Sequence, residues 1–162
     1  AHIVVWEVAS GKAIITMEAP ENYTWDPRQR RHSIGGLRSA AFSPDGKLLA
    51  VGGMGQVGNI DHLGGKARVE IFDWRKQEKT HEYGDGEFKG LVESLAWHPK
   101  GAWLLAGGGA NDGWLMFFDL KDEKNAAKNE KAPMHIHELA LGEDAKHLYA
   151  VGHGKLVKWE LS

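Results

Sequence analysis

Short apolar runs separated by turn residues recur along the whole chain. The run Arg38 to Gly53, RSAAFSPDGKLLAVGG, shows the pattern most fully. Apolar residues lie on both sides of Ser43-Pro44-Asp45-Gly46. Pro44 presets φ, Asp45 can bond its own backbone and Gly46 tolerates a positive φ, so the stretch predicts strand, tight turn, strand. The same design returns at Leu91 to Gly107, LVESLAWHPKGAWLLAG, and at Ile136 to Gly152, IHELALGEDAKHLYAVG.

A third strand follows each predicted hairpin: Val69 to Asp73, Leu115 to Asp119 and Leu156 to Glu160. A fourth copy, Ile3-Val4-Val5-Trp6-Glu7, opens the chain. All four are apolar segments ending in an aromatic followed by an acid. The aromatics Trp6, Phe72, Phe118 and Trp159 are spaced by 66, 46 and 41 residues. The last two spacings approach the roughly 40–45 residues of a four-stranded propeller blade.

On these residues the chain resembles the WD40 repeat family. The FSPDGKLLAVGG hairpin, the segment VVWEVASGKAI and the aromatic-acid endings carry the resemblance. It implies an all-β fold: a WD40-like β-propeller segment of about three to three and a half four-stranded antiparallel blades. With blade strands named a to d from the innermost outward, residues 1–19 supply strands c and d of a partial blade. Residues 37–83 and 91–131 form two whole blades, and residues 134–162 a last blade lacking strand d. The chain most resembles the C-terminal part of a bacterial WD40 propeller. Such an array leaves open edges. Closure is expected either from N-terminal blades upstream or from association of copies. Tryptophan survives in the aromatic-acid ending only at Trp6 and Trp159, and the Gly-His dipeptide before strand a is absent.

Two insertions account for the long first spacing. Pro20 to Gly36 lies between strands d and a, and Gly53 to Lys66 between strands b and c. Both kinds of loop leave a propeller on the same face, where long loops often carry function. Lys121 to Lys131, KDEKNAAKNEK, has poor strand propensity for an outer strand and predicts a short edge strand or a loop.

Composition narrows the function classes. Twenty Lys and Arg balance twenty-two Asp and Glu, which offers no global attraction to nucleic acid or anionic lipid. No apolar run approaches the roughly 20 residues of a membrane-spanning helix. The start lacks the basic and long apolar regions of a signal peptide; without Met, it is expected to be preceded by further residues. Zero cysteines remove disulfides and thiolate metal sites.

Candidate chemistry is sparse. Gly53-Met54-Gly55-Gln56-Val57-Gly58 matches G-x-G-x-x-G, yet the Gly64-Gly65 pair leaves no room for the helix that a dinucleotide site needs. His135 and His137 alternate on one strand and His153 sits in the last b–c turn, making them candidates for zinc or copper ligation. No His-Glu-x-x-His, nucleophile elbow or Walker loop is present, and no cofactor is expected.

The residues therefore point to a non-catalytic scaffold that binds a protein or peptide through loops on one face. Tyr23, Trp25, Arg28, Arg30, Arg31 and His32 in the first insertion combine planar cations with aromatic area, which suits binding. Asn59, Asp61 and His62 in the second insertion, and Asn111, Asp112 and Trp114 in the next b–c turn, are expected beside them. Two alternatives stand next to this reading. One is a small-ligand or metal-assisted enzyme using His135, His137 or His153. The other is a purely structural repeat segment of a larger protein.

Overall fold

The computed structural model describes residues 1–25, 33–57, 64–84, 86–122 and 128–161. Four antiparallel sheets follow one another in chain order. The first pairs β1 (His2–Glu7) with β2 (Lys12–Glu18). A 3-10 turn at Pro20–Asn22 then leads into β3 (Tyr23–Trp25). The second sheet has the order β3, β4 (Ser33–Phe42), β5 (Leu48–Met54), β6 (Ala67–Asp73), β7 (Glu78–Tyr83). The third consists of β8 (Leu91–Trp97), β9 (Leu104–Gly109), β10 (Gly113–Phe118) and β11 (Lys128–Ala132). The fourth is β12 (Ile136–Leu141), β13 (His147–Gly152) and β14 (Lys155–Glu160).

The period of two along each strand builds the core between sheets. On β5, Leu49 and Val51 face one way and join Ile3, Val5, Met17 and Ala19 of the first sheet. Ala50 faces the other way and packs with Val92, Leu104, Ala106, Met116 and Phe118 of the third. Leu105 and Leu115 then meet Ile136, Leu139, Leu148 and Ala150 of the fourth. Each sheet thus buries both faces where it has a neighbour on both sides. The end sheets do not: Val4, Trp6 and Ile14 are exposed at one end of the stack, and Tyr149, Val151 and Leu156 at the other.

The Ser-Pro-Asp-Gly turn closes as its residue types require. Ser43 donates to Asp45 at 2.7 Å and accepts from the Leu48 amide at 2.9 Å. The Ser43 hydroxyl, followed by the Lys47 amide, holds the Asp45 carboxyl down to about 2. Gly46 has φ 67° and Gly101, at the same place in the next hairpin, φ 70°. Ala145 takes that place in the third hairpin with φ 55°, a left-handed conformation that costs a residue with a β-carbon. Ala145→Gly is therefore expected to stabilise the protein by about 0.5–1 kcal/mol, after the entropy that glycine adds to the unfolded chain. A urea midpoint that does not rise would contradict this.

The innermost strands repeat an irregularity that sequence reading missed. Each has its register shift at the same position: Leu37/Ser39 in β4, Val92/Ser94 in β8 and Ile136/Glu138 in β12. A bulge there re-aims the residue it frees. Ser39, Ser94 and Glu138 just beyond it stitch successive blades together. Ser39 donates to Val92 O at 3.0 Å, and Ser94 to Glu138 Oε1 at 2.5 Å. Trp97 adds an indole bond to Ala41 O at 3.0 Å. Farther out, the Tyr83 hydroxyl donates to Asp122 O at 2.8 Å, and its ring lies 4.2 Å from that of Phe118.

Two irregular segments take strand structure. The first insertion is not loop throughout, because β3 adds a fifth strand to its sheet by pairing Tyr23 with Gly35. The charged segment does form an edge strand at Lys128–Ala132, paired to β10. Its lysines stand at the outer edge, where charge discourages further pairing.

Candidate interaction face

Antiparallel pairing sets the beginning of each innermost strand beside the end of the next strand out: Gly36 with Met54, Leu91 with Gly109, and Ile136 with Gly152. The d–a and b–c connections therefore emerge at the same end of every sheet. Tyr23 and Trp25 belong to that end. They are two residues apart on β3, so they share a side, and they are 41% and 51% exposed. Thr24 between them ties the strand to the second insertion by accepting from the Val57 amide at 3.1 Å. Arg28, Arg30, Arg31 and His32, and Asn59, Asp61 and His62, lie outside the described residues.

Asn111 and Asp112 are exposed in the turn between β9 and β10, which closes by an Ala110 N–H bond to Asp112 O at 3.1 Å. They border a cleft of about 590 Å³ lined also by Phe88, Lys89, Trp114 and Lys131. Trp114 is placed differently from the sequence expectation. It is 2% exposed, with its ring stacked on Phe88 at 5.7 Å and its indole N–H donated to Lys89 O at 2.9 Å. It packs in the core cluster between the second and third sheets, so it builds the cleft wall instead of offering a free aromatic to a partner. Glu87 and Asp112 alternate with Lys89 and Lys131 around the rim, which gives the cleft both signs of charge.

The three candidate histidines come together at the same end of the last sheet. His135 precedes β12, His137 is its bulge residue, and His153 follows β13. Their ring centroids are 4.9 Å apart for His135 and His137, 5.1 Å for His135 and His153, and 4.8 Å for His137 and His153. His135 is buried. Its Nδ1 is 3.1 Å from Ala110 O, and because a carbonyl only accepts, Nδ1 carries the proton. Nε2 is buried without a hydrogen-bond partner, and Glu93 Oε1 stands 3.8 Å away. Burial pushes the His135 imidazole below its ordinary range; His137 pushes the same way and Glu93 opposes. His137 and His153 are exposed. Glu93 holds the bulge position in β8 that His137 holds in β12, a correspondence visible once the three hairpins are aligned.

The G-x-G-x-x-G segment lacks the surroundings of a nucleotide site. Gly53 and Met54 end a strand that pairs on both sides, and no helix follows among the described residues. Nor is any helix of the described residues long and apolar enough to cross a membrane, a statement that does not bear on strands.

Successive antiparallel sheets with their first strands side by side define a β-propeller segment. The profile of the WD40 family, described as "WD domain, G-beta repeat", matches residues 27–57 and 78–119. Those two regions match WD40 repeats. A chain in a structure titled "Crystal Structure of Mitotic Checkpoint Complex" superposes on 98% of this one with a TM-score of 0.70. The two are 19% identical, so this likeness concerns the fold, and the present chain spans 42% of the other's length. No curated protein matches the sequence significantly.

Proposed function

We propose that the chain is a non-catalytic interaction module that holds a protein or peptide partner on the face formed by its d–a and b–c connections. The observation that carries this reading is the concentration of exposed binding chemistry at that one end. Tyr23 and Trp25 stand out of an added strand there, and Asn111 and Asp112 rim a cleft with aromatic walls. Aromatic anchors dominate interface energetics because they bury large area at small entropic cost. Their backing is rigid: β3 is paired along its length with β4, and Trp114 is locked beneath the cleft. Membership of a complex by a protein of the same fold adds support for protein partners in general. The exposed apolar faces of the first and last sheets are read as surfaces that further blades or a second copy cover.

The test is affinity capture with the chain as bait, comparing the parent with a Tyr23→Ala/Trp25→Ala pair and an Asn111→Ala/Asp112→Ala pair. All four residues are exposed, so the variants should fold. Loss of the same captured proteins with both pairs is expected. Capture unchanged by both would remove this face from the account.

A further inference from the structure

We propose that His135, His137, His153 and Glu93 form a binding site for a zinc-class divalent transition-metal ion. Donors bound to one tetrahedral ion at roughly 2.0–2.1 Å stand about 3.4 Å from each other, and the centroids of imidazoles on it about 5 Å apart. Glu93 Oε1 and His135 Nε2 are 3.8 Å apart, and the three ring centroids are separated by 4.8 to 5.1 Å. The spacing thus matches on the three histidine pairs and on the Glu93–His135 pair.

His135 is arranged as a ligand. Its Nδ1–H is held by the Ala110 carbonyl, the outer contact that fixes the tautomer and orientation of a metal-binding histidine. The lone pair on Nε2 is left buried with nothing to accept from, and the Glu93 carboxylate stands 3.8 Å away. His137 and His153 are not yet turned to join it. The His135 and His137 rings lie within 13° of parallel, and no three donors among the described residues already point at one spot. Both rings are exposed and have room to change rotamer, and both must turn to complete the set. Neutral imidazoles with one carboxylate suit zinc, whereas magnesium and calcium prefer oxygen alone. Such an ion would clamp strand β12, the turn after β13 and the bulge of β8, tying the last two sheets together at the partner face.

The experiment is calorimetric titration of the chelator-treated full chain with Zn²⁺, with Co²⁺ as a spectroscopic probe of tetrahedral nitrogen coordination. One equivalent is expected to bind, with the visible absorption of four-coordinate Co²⁺ and a rise in melting temperature. His137→Ala/His153→Ala changes only exposed side chains and should weaken binding at least 100-fold. Glu93→Gln should weaken it about tenfold. His2→Ala/His147→Ala, elsewhere on the surface, should bind like the parent. No stoichiometric binding by the parent, or binding that survives His137→Ala/His153→Ala, would overturn the proposal.

Discussion

Glu70→Ala is expected to cost about 3 kcal/mol of stability, the lower end of the roughly 3–5 kcal/mol for removing one partner of a buried ion pair. The Glu70 side chain is 1% exposed and that of Arg68 10%. The guanidinium reaches Glu70 Oε1 through Nε at 3.0 Å and Nη2 at 2.8 Å, and Glu82 at 2.5 Å. Burial works against the Arg68 charge, but Glu70 and Glu82 outweigh it and raise its pKa. Without Glu70, a nearly buried cation keeps only Glu82, whose side chain is 42% exposed. That remaining partner sets the loss at the lower bound. The pair itself is a different matter, since two buried charges are costly to desolvate. Replacing both, as Arg68→Met/Glu70→Met, is expected to leave stability within about 1 kcal/mol of the parent or above it, because Lys79 and Glu82 still pair with each other. Urea denaturation of the three proteins checks both statements. A double variant as unstable as Glu70→Ala would contradict them.

Gly113→Ala is the second large effect, at or above the upper end of the roughly 1–3 kcal/mol typical of overpacking. A β-carbon at Gly113 would overlap the carbonyl oxygen of Met134, part of the backbone that carries the chain into the last sheet. Neither side can yield, because Gly113 is paired with both Gly109 and Ala132. Gly11→Ala makes the contrast. Gly11 has φ 66° with nothing near its missing side chain, so alanine there costs only the left-handed conformation, about 1 kcal/mol. Thermal melts should separate the two, with Gly113→Ala lower by several degrees at roughly 2–4 °C per kcal/mol. Equal losses would mean that β10 does not approach Met134 as described.

The blade strands were legible because their signals are local. Pro44, Asp45 and Gly46 define a turn whatever surrounds it, and apolar segments ending in Trp6, Phe72, Phe118 and Trp159 mark third strands by residue type alone. The contacts between blades were not legible, since they depend on which residues the stacking brings together. Nothing local in the sequence sets Ser39 and Ser94 apart; their bonds to the neighbouring sheet follow from the bulge before each. Nothing in the sequence marks Arg68 and Glu70 as a pair, and only their burial gives them weight. Trp114 read as a partner-facing aromatic because it follows the exposed Asn111 and Asp112. Stacking of the third sheet between the second and fourth buries both faces of β10, and the ring enters the wall of the cleft. His135, His137 and His153 were recognised together as candidate ligands, but the meeting of their rings was not. Their meeting needs the close pairing of Gly152 with Ile136, a tertiary fact.

The order of the blades is tested most directly by nuclear Overhauser contacts between side chains of adjacent sheets. The account predicts cross-peaks between the Tyr83 and Phe118 rings, and between the Trp97 indole N–H and the residues around Ala41. Well-resolved spectra with the strand pairings of single hairpins but neither of these contacts would contradict the stacked propeller, and with it the shared face on which the functional reading rests.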